Sequence, residues 1–310
     1  MKRFYVNGIS FIMILFSVLV GFDLLSMHGS FRQLFSNWTD SASYLERGPD
    51  EIKPYIVKAQ FQDDSTKLII GDSVCRQMFN GLQEYNSDFT IIGSNGAITM
   101  AGQYIMTKEY LDNHPNATDV FLIILPQSLG RTFDTKWGYQ YAVMPFVETN
   151  TINDLDDSTL KIMDGTYGKV FLNKKVVNAL YLSAVNRKIY LNYISNRTDG
   201  YILSNHFELS DQYVVKMAEL CESKGVDFYM YPCPVCEIKK ESVDSIKDEF
   251  MESQTYNINP QFISMIQYYP TGQATDGTHF SGDYANQDVL NEKIKQLYSS
   301  EVLLKYLKFE

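Results

Sequence analysis

Four short apolar segments alternate along this chain with segments whose apolar residues recur at helical spacing. The third, residues 119–125, is almost continuously apolar, a pattern typical of strands buried on both faces of a parallel sheet. The predicted strands are residues 67–71, 88–93, 119–125 and 226–230, with a fifth over 261–266. This alternation predicts an α/β fold class with a mostly parallel five-stranded sheet.

Helical spacing is found on either side of these strands. The predicted helices are residues 73–85, 98–113, 170–192, 210–224 and 280–299. Residues 131–205 are otherwise less regular, and we interpret them as an irregular insertion. The chain has 310 residues, of which 45% are hydrophobic, so it can form a substantial core. We therefore predict one large domain over residues 61–310.

The N-terminus carries an uncharged, largely apolar run over residues 4–22, preceded by Lys2 and Arg3. Nineteen residues of helix reach about 29 Å, close to the thickness of a hydrocarbon core. This predicts a transmembrane anchor over residues 4–27, a cytoplasmic tip at 1–3 and a juxtamembrane linker at 28–60. The positive charge predicts a single-pass protein of the cell membrane with its large domain extracytoplasmic. A cleaved signal peptide is the alternative.

Charge and cysteine content exclude some classes of function. The net charge is −10 and basic residues do not cluster, which argues against nucleic acid as a partner. Cys233 and Cys236 have CxxC spacing, which is compatible with a disulfide, with inert thiols, or with a redox or metal role. A zinc site would need two further ligands, and the other Cys and His residues are scattered. We expect neither a metal nor a cofactor.

Chemistry-bearing residues follow the predicted strands at the edge where parallel sheets bind ligands. Ser73 comes directly after the first strand, at the start of a helix whose N-terminus favours a negative oxygen. Gly96 follows the second strand, where a glycine lets backbone N–H groups approach a ligand. Asp276 and His279 are separated by two residues, a spacing that allows the carboxylate to orient the imidazole. Together they predict a serine nucleophile with a histidine base.

These blocks resemble those of the SGNH (GDSL-like) hydrolase superfamily. The resemblance covers roughly residues 66–300, and its specific parts are the blocks at 71–73, 93–97 and 276–279. It implies a flavodoxin-like three-layer sandwich. It also implies that Ser73 is the nucleophile, that Asp276 and His279 complete the triad, and that the N–H groups of Ser73 and Gly96 form the oxyanion hole.

The block after the third strand departs from the family pattern. The family usually has Gly-x-Asn-Asp there, with the asparagine as a third oxyanion donor, whereas this chain has no asparagine in the block. Gln127 or Ser128 could supply the missing donor. The departure resembles membrane-tethered relatives that modify envelope polymers, including partners of membrane-bound O-acyltransferases and the teichoic-acid D-alanylation protein. The partners implied are a polysaccharide or teichoic-acid-like acceptor and a multi-spanning O-acyltransferase.

Three functions remain open on this basis. The first is an extracytoplasmic serine acyltransferase that adds acyl groups, with acetyl expected, to a cell-envelope or exopolysaccharide through an acyl-Ser73 intermediate. The second is a membrane-tethered SGNH esterase or deacetylase, which would share the same residues. The third is a non-catalytic polysaccharide-binding or scaffold partner, favoured by the tyrosines of the middle region because aromatic faces stack on sugars. Those tyrosines include Tyr139 and Tyr167.

Overall fold

The structure is a computed structural model that describes residues 2–26, 52–79, 87–94, 99–131, 133, 139, 143–182 and 206–281. Its α-helices are α1 (Lys2–Ser26), α2 (Lys53–Gln60), α3 (Ser73–Phe79), α4 (Met100–Asn113), α5 (Met144–Thr149), α6 (Asp157–Tyr167), α7 (Lys174–Leu182), α8 (His206–Ser223), α9 (Lys240–Glu252) and α10 (Thr255–Ile258). Its strands are β1 (Lys67–Gly71), β2 (Phe89–Gly93), β3 (Asp119–Ile124), β4 (Asp227–Pro232), β5 (Val235–Cys236) and β6 (Tyr268–Tyr269).

Strands β1 to β4 form one sheet in the order β2-β1-β3-β4, and all three pairings are parallel. Gly71 at the end of β1 lies opposite both Gly93 on β2 and Ile123 on β3. The strand order reverses direction between β1 and β3. In open α/β sheets the crevice beyond the strand ends at such a reversal is the usual ligand site. Ser73 lies just beyond β1.

Alternate residues of the strands enter two separate cores, one on each face of the sheet. On the first face, Leu68 and Leu122 pack with the helices α2, α4 and α8. On the second face, Ile69 and Phe121 pack with α3 and with the segments that follow β4. Burial on both faces explains why β1, β2 and β3 are mostly apolar instead of alternating regularly with polar residues. The predicted α/β class with a mostly parallel sheet is therefore confirmed.

The prediction of a fifth strand over residues 261–266 is wrong. This segment is a single turn instead, with a hydrogen bond from the Met265 N–H to the Gln261 carbonyl. Phe262 and Ile266 are four residues apart and both are buried, as in a helical turn. Apolar residues so closely spaced fit the helical period as well as the strand period. The Asn259 side chain stabilises the turn by accepting a hydrogen bond from the Gln261 N–H. The four-stranded sheet and the two-stranded β5–β6 sheet are those found in the described part of the chain.

Two other predicted regions are only partly described. The insertion over residues 131–205 is largely helical where the structure describes it, with α5, α6 and α7 packed at the first face. The helix predicted over 170–192 is divided into a 3₁₀ turn, Lys169–Leu172, and α7. The closing helix predicted over 280–299 lies outside the described residues, which end at 281.

Helix α1 occupies most of the predicted membrane span, and apolar side chains on it, such as Phe11 and Phe16, are two-thirds exposed. Among the described residues, however, no helix is both long enough and apolar enough to cross a membrane. The transmembrane helix predicted over residues 4–27 is therefore not found among them.

Candidate active site

Ser73 is the first residue of α3 and lies directly beyond the end of β1. Asp72 precedes the helix, and its side chain accepts hydrogen bonds from the N–H groups of Val74 (3.0 Å) and Cys75 (3.3 Å). A carboxylate in this capping position stabilises the helix start. It also fixes the direction in which the backbone turns from β1 into α3 at Ser73. Ser73 itself is 9% exposed.

Asp276 and His279 lie on a loop that closes on itself after β6. An antiparallel bridge joins Ala274 to Phe280, and the Thr275 N–H donates to the His279 carbonyl at 2.8 Å. The loop can turn this tightly because Gly277 has a φ of +74°, a left-handed conformation that other residues rarely adopt. The two residues between the acid and the histidine thus form the turn that brings their side chains together.

The structure brings Ser73, His279 and Asp276 into one hydrogen-bonded chain. The His279 Nε2 lies 2.7 Å from the Ser73 Oγ, and the His279 Nδ1 lies 2.8 Å from the Asp276 Oδ2. Because a carboxylate only accepts hydrogen bonds, the His279 Nδ1 carries the hydrogen and the Nε2 lone pair faces the serine hydroxyl. This tautomer can take a proton from Ser73.

The Asp276 carboxyl is held in its ionised form. Partial desolvation raises its pKa, but hydrogen bonds from the His279 N–H and ring and from the Thr278 N–H outweigh that effect and lower the pKa to about 2. The side chains of His279 and Asp276 are 34% and 55% exposed, so this end of the triad is open to solvent.

Asp72 also connects the start of α3 to the segment after β3. Its Oδ2 accepts hydrogen bonds from the Leu125 N–H at 2.6 Å and from the Ser128 hydroxyl at 2.8 Å. The Ser128 hydroxyl hydrogen is thereby committed to a buried carboxylate. Of the two residues predicted to replace the missing oxyanion donor, Ser128 thus has its only hydroxyl hydrogen directed at Asp72 in this structure.

The remaining oxyanion residues differ in what the structure shows. In the described part of the chain no group accepts a hydrogen bond from the Ser73 N–H. Gly96 lies outside the described residues. Gln127 lies in the 3₁₀ turn Pro126–Gly130, and its buried Oε1 has no hydrogen-bond partner among the residues that the structure describes.

The cysteines form no disulfide: Cys75, Cys221, Cys233 and Cys236 are all buried free thiols. Burial raises the pKa of Cys75 and of Cys233 well above the ordinary value, and the nearby Asp72 carboxylate raises both further. Burial likewise raises the pKa of Cys221 to about 12. Thiols of this kind are poor nucleophiles, as in the inert-thiol alternative. Among the described residues no group of three or more Cys, His, Asp or Glu could hold a metal ion.

The tyrosines of the middle region are core residues where their side chains are described. Tyr139 and Tyr167 are fully buried, with their ring centroids 5.3 Å apart. The Tyr139 hydroxyl donates to the Phe171 carbonyl. These two rings cannot stack on a sugar, so they do not support the binding or scaffold alternative.

Sequence reasoning missed the side chains that hold the loop of Asp276 and His279 in place. The Gln77 amide, one turn after Ser73 on α3, makes two hydrogen bonds to the backbone of Phe280. The Tyr269 hydroxyl donates to the Thr278 carbonyl at 2.8 Å. The sequence gives no signal for either contact beyond the four-residue spacing of Ser73 and Gln77, because both contacts depend on tertiary structure.

Comparisons with known proteins add little to this geometry. No family model and no curated protein matches the chain. Among solved structures, one from Streptococcus pneumonia, described as a candidate platelet activating factor, is 14% identical. The match covers 87% of this chain and 100% of that chain with a TM-score of 0.37. A similarity at that level carries no argument about fold or function.

Proposed function

We propose that this protein is a serine acyltransferase of the SGNH hydrolase type, which transfers an acyl group from an ester through an acyl-Ser73 intermediate. The observation that carries the proposal is the hydrogen-bonded chain from Ser73 through His279 to Asp276 at the carboxyl edge of a parallel sheet. Nucleophile, base and orienting acid are each within hydrogen-bond reach of the next, which is the arrangement that activates a serine.

In the proposed reaction His279 takes the hydroxyl proton while the Ser73 Oγ attacks the ester carbonyl carbon. The tetrahedral intermediate places a negative oxygen near the Ser73 N–H, with Gly96 and the Gln127 amide proposed as further donors. When the C–O bond of the ester breaks, His279 returns the proton to the leaving alcohol. A second hydroxyl then loses its proton to His279 and attacks the acyl carbon. When the bond from that carbon to the Ser73 Oγ breaks, His279 returns the proton to Ser73.

We propose a sugar hydroxyl of an envelope polysaccharide or teichoic-acid-like polymer as the acceptor, acetyl as the acyl group and a multi-spanning O-acyltransferase as the donor partner. This rests on the resemblance of the sequence blocks to envelope-modifying relatives. We also propose that α1 holds the protein at a cell membrane, supported by its exposed apolar side chains. The single-pass orientation stays a prediction.

Hydrolysis by an esterase or deacetylase is the second candidate function. The observation that favours it is the exposure of the catalytic loop, where the Asp276 side chain is 55% exposed and His279 34%. Water can reach a base placed in this way without a conformational change. Both functions require the same acyl-Ser73 intermediate.

The test uses the full chain in detergent with a chromogenic acetyl ester, with the Ser73→Ala variant as its control. We expect turnover, together with an acetyl adduct on Ser73 that intact-mass measurement detects and that the variant lacks. Adding oligosaccharide acceptors separates the two functions, because a transferase yields acetylated sugar whereas an esterase yields acetate alone. Equal turnover in the Ser73→Ala variant, or none in the wild type, contradicts the proposal.

A further inference from the structure

Ser73 and Gln77 lie one turn apart on α3 and contact consecutive residues of the loop that carries the base. The Ser73 Oγ meets the His279 ring, while the Gln77 side chain meets the backbone of Phe280. Residues four apart on a helix lie on the same face. The nucleophile's own helix is thus joined to the base at two neighbouring points.

The Gln77 amide pairs with both polar backbone groups of a single residue. Its Oε1 accepts from the Phe280 N–H at 3.0 Å, and its Nε2 donates to the Phe280 carbonyl at 3.4 Å. Among side chains of this length, only a primary amide offers a donor and an acceptor side by side. A glutamate at this position would keep the first bond and face the carbonyl oxygen with a second negative oxygen.

The loop's other hydrogen bonds fix its shape and bind it to elements other than α3. The Thr275 side chain donates to the Phe280 carbonyl at 3.1 Å, and the Ser281 N–H donates to the Gln273 carbonyl at 2.8 Å. The Phe280 ring packs against Tyr269 with ring centroids 4.9 Å apart. These contacts hold the shape of the loop and join it to β6, whereas the Gln77 bonds join it to α3. A shift of the loop relative to α3 would move His279 away from Ser73.

We infer that Gln77 is a positioning residue that sets the distance between the His279 Nε2 and the Ser73 Oγ by fixing the Phe280 backbone to α3. The inference deepens the proposed function and rests on it. The hydrogen bonds of its amide go to the Phe280 backbone and not to Ser73 or the imidazole among the described residues, so it acts through the loop. A displacement of about 1 Å in a catalytic group can cost about 10² in rate.

The experiment measures how fast a fluorophosphonate probe inactivates the full chain in detergent. In this reaction the Ser73 Oγ bonds to phosphorus, the P–F bond breaks with loss of fluoride, and His279 takes the hydroxyl proton. The variants are Gln77→Ala and Gln77→Met, the second of which keeps the side-chain length without hydrogen bonds. Gln60→Ala is the matched control. This substitution removes a comparable side-chain hydrogen bond, from Gln60 to Glu109 on α4, away from the catalytic loop.

We expect the maximal inactivation rate to fall about 10- to 100-fold in both Gln77 variants, with the probe concentration for half-maximal rate unchanged. The final labelling stoichiometry should stay at the wild-type level, since every folded molecule still reacts. A purely structural role would instead reduce the labelled fraction and leave the rate of the folded molecules unchanged. Gln60→Ala should react within about twofold of the wild type, as expected for a substitution remote from the site.

The outcomes separate the inference from the function on which it rests. A wild type that is labelled at Ser73, together with Gln77 variants that react at its rate, overturns the inference and leaves the proposed function intact. A labelled fraction that falls while the rate is kept also overturns it, in favour of a structural role. A wild type that is not labelled contradicts both.

Discussion

At the level of the single residue, Asp276 uses its two oxygens differently: one holds the backbone of the loop, and the other accepts a hydrogen bond from the His279 ring. Its Oδ1 accepts from the Thr278 and His279 N–H groups, and its Oδ2 accepts from the His279 ring. In Asp276→Asn the amide nitrogen can replace either oxygen, and facing the ring it would select the wrong imidazole tautomer. We expect kcat/KM for an acetyl ester to fall by about 10²–10⁴.

The ionisation of Asp276 also makes the stability of the folded protein depend on pH. Its pKa is lowered to about 2 in the folded protein, below the ordinary carboxyl value near 4. The stabilisation from its charge is therefore complete above about pH 4 and is lost as the pH falls through 2. The difference in stability between wild type and Asp276→Asn should shrink over that interval, as urea unfolding at several pH values would show. A difference that stays constant down to pH 2 would contradict the assignment.

The Asp72 side chain, next to Ser73, accepts hydrogen bonds from separate segments of the chain. Five donors face its two oxygens: two N–H groups at the start of α3, two groups after β3 and, at 3.9 Å, the Cys233 thiol. The residue is 6% exposed. In Asp72→Asn one oxygen becomes an NH₂ group that must point at donors. Burying unsatisfied donors in this way costs about 1–3 kcal/mol each. We therefore expect a loss of about 2–4 kcal/mol in the free energy of unfolding, measured by urea denaturation.

Asp227→Asn serves as the comparison for Asp72. Asp227 is an exposed residue at the start of β4. Within the described ranges its side chain accepts only a long bond from the Tyr229 hydroxyl at 3.4 Å. Its substitution should change stability by less than about 0.5 kcal/mol. Equal effects of the two substitutions would mean that the Asp72 network does not stabilise the junction between α3 and the segment after β3.

At the scale of elements, α3 lies so close to the sheet that the strand end beside it has no room for a side chain. A Cβ added to Gly93 would lie 2.5 Å from the Arg76 Cα and 2.6 Å from the Arg76 backbone nitrogen. Because these are backbone atoms, Gly93→Ala must push α3 away from β2. We expect a loss of about 1–3 kcal/mol or more in stability, with slower reaction at Ser73 because the nucleophile moves with its helix.

Gly272→Ala is the control for this element-scale prediction. A Cβ there meets no atom within 4 Å, and the backbone φ is not in the left-handed region. Thermal unfolding should show a clear loss for Gly93→Ala and almost none for Gly272→Ala. If the two variants unfold alike, the close contact between α3 and β2 is not a stabilising feature of the fold.

The elements also show what can be predicted from the sequence. Strands such as β1 and β3 are predicted because burial on both faces favours mostly apolar runs. The prediction of a fifth strand is wrong because the apolar residues of 261–266 fit a helical turn equally well. The hydrogen bond from the Gln261 N–H to the Asn259 side chain stabilises that turn. The spacing of Asp276 and His279 predicts their pairing, since the contact is local. The ties made by Gln77 and Asp72 are long-range, and no local pattern marks them.

At the scale of the whole molecule, α1 differs from the other helices because the apolar side chains described on it are exposed instead of packed in a core. Phe11 and Leu15, one turn apart, are 66% and 47% exposed. Water would not stabilise such a surface, whereas lipid acyl chains would, and Lys2 and Arg3 favour anionic headgroups beside it. We expect the full chain to float in a density gradient with vesicles of phosphatidylcholine that contain about 30% phosphatidylglycerol. The phosphatidylglycerol provides the anionic headgroups.

The paired substitution Phe11→Asp and Leu15→Asp tests this prediction. Each aspartate costs about 2.5–3.5 kcal/mol in a hydrocarbon environment, so two on one face should abolish flotation. Val57→Asp is the matched control, because Val57 is 50% exposed on α2 and lies outside α1. Turnover of a soluble acetyl ester in detergent should be the same for all three proteins, since none of these substitutions touches the triad. Flotation that survives in the α1 variant would assign membrane binding to another surface, and flotation lost in the Val57 variant would place α2 at the lipid contact.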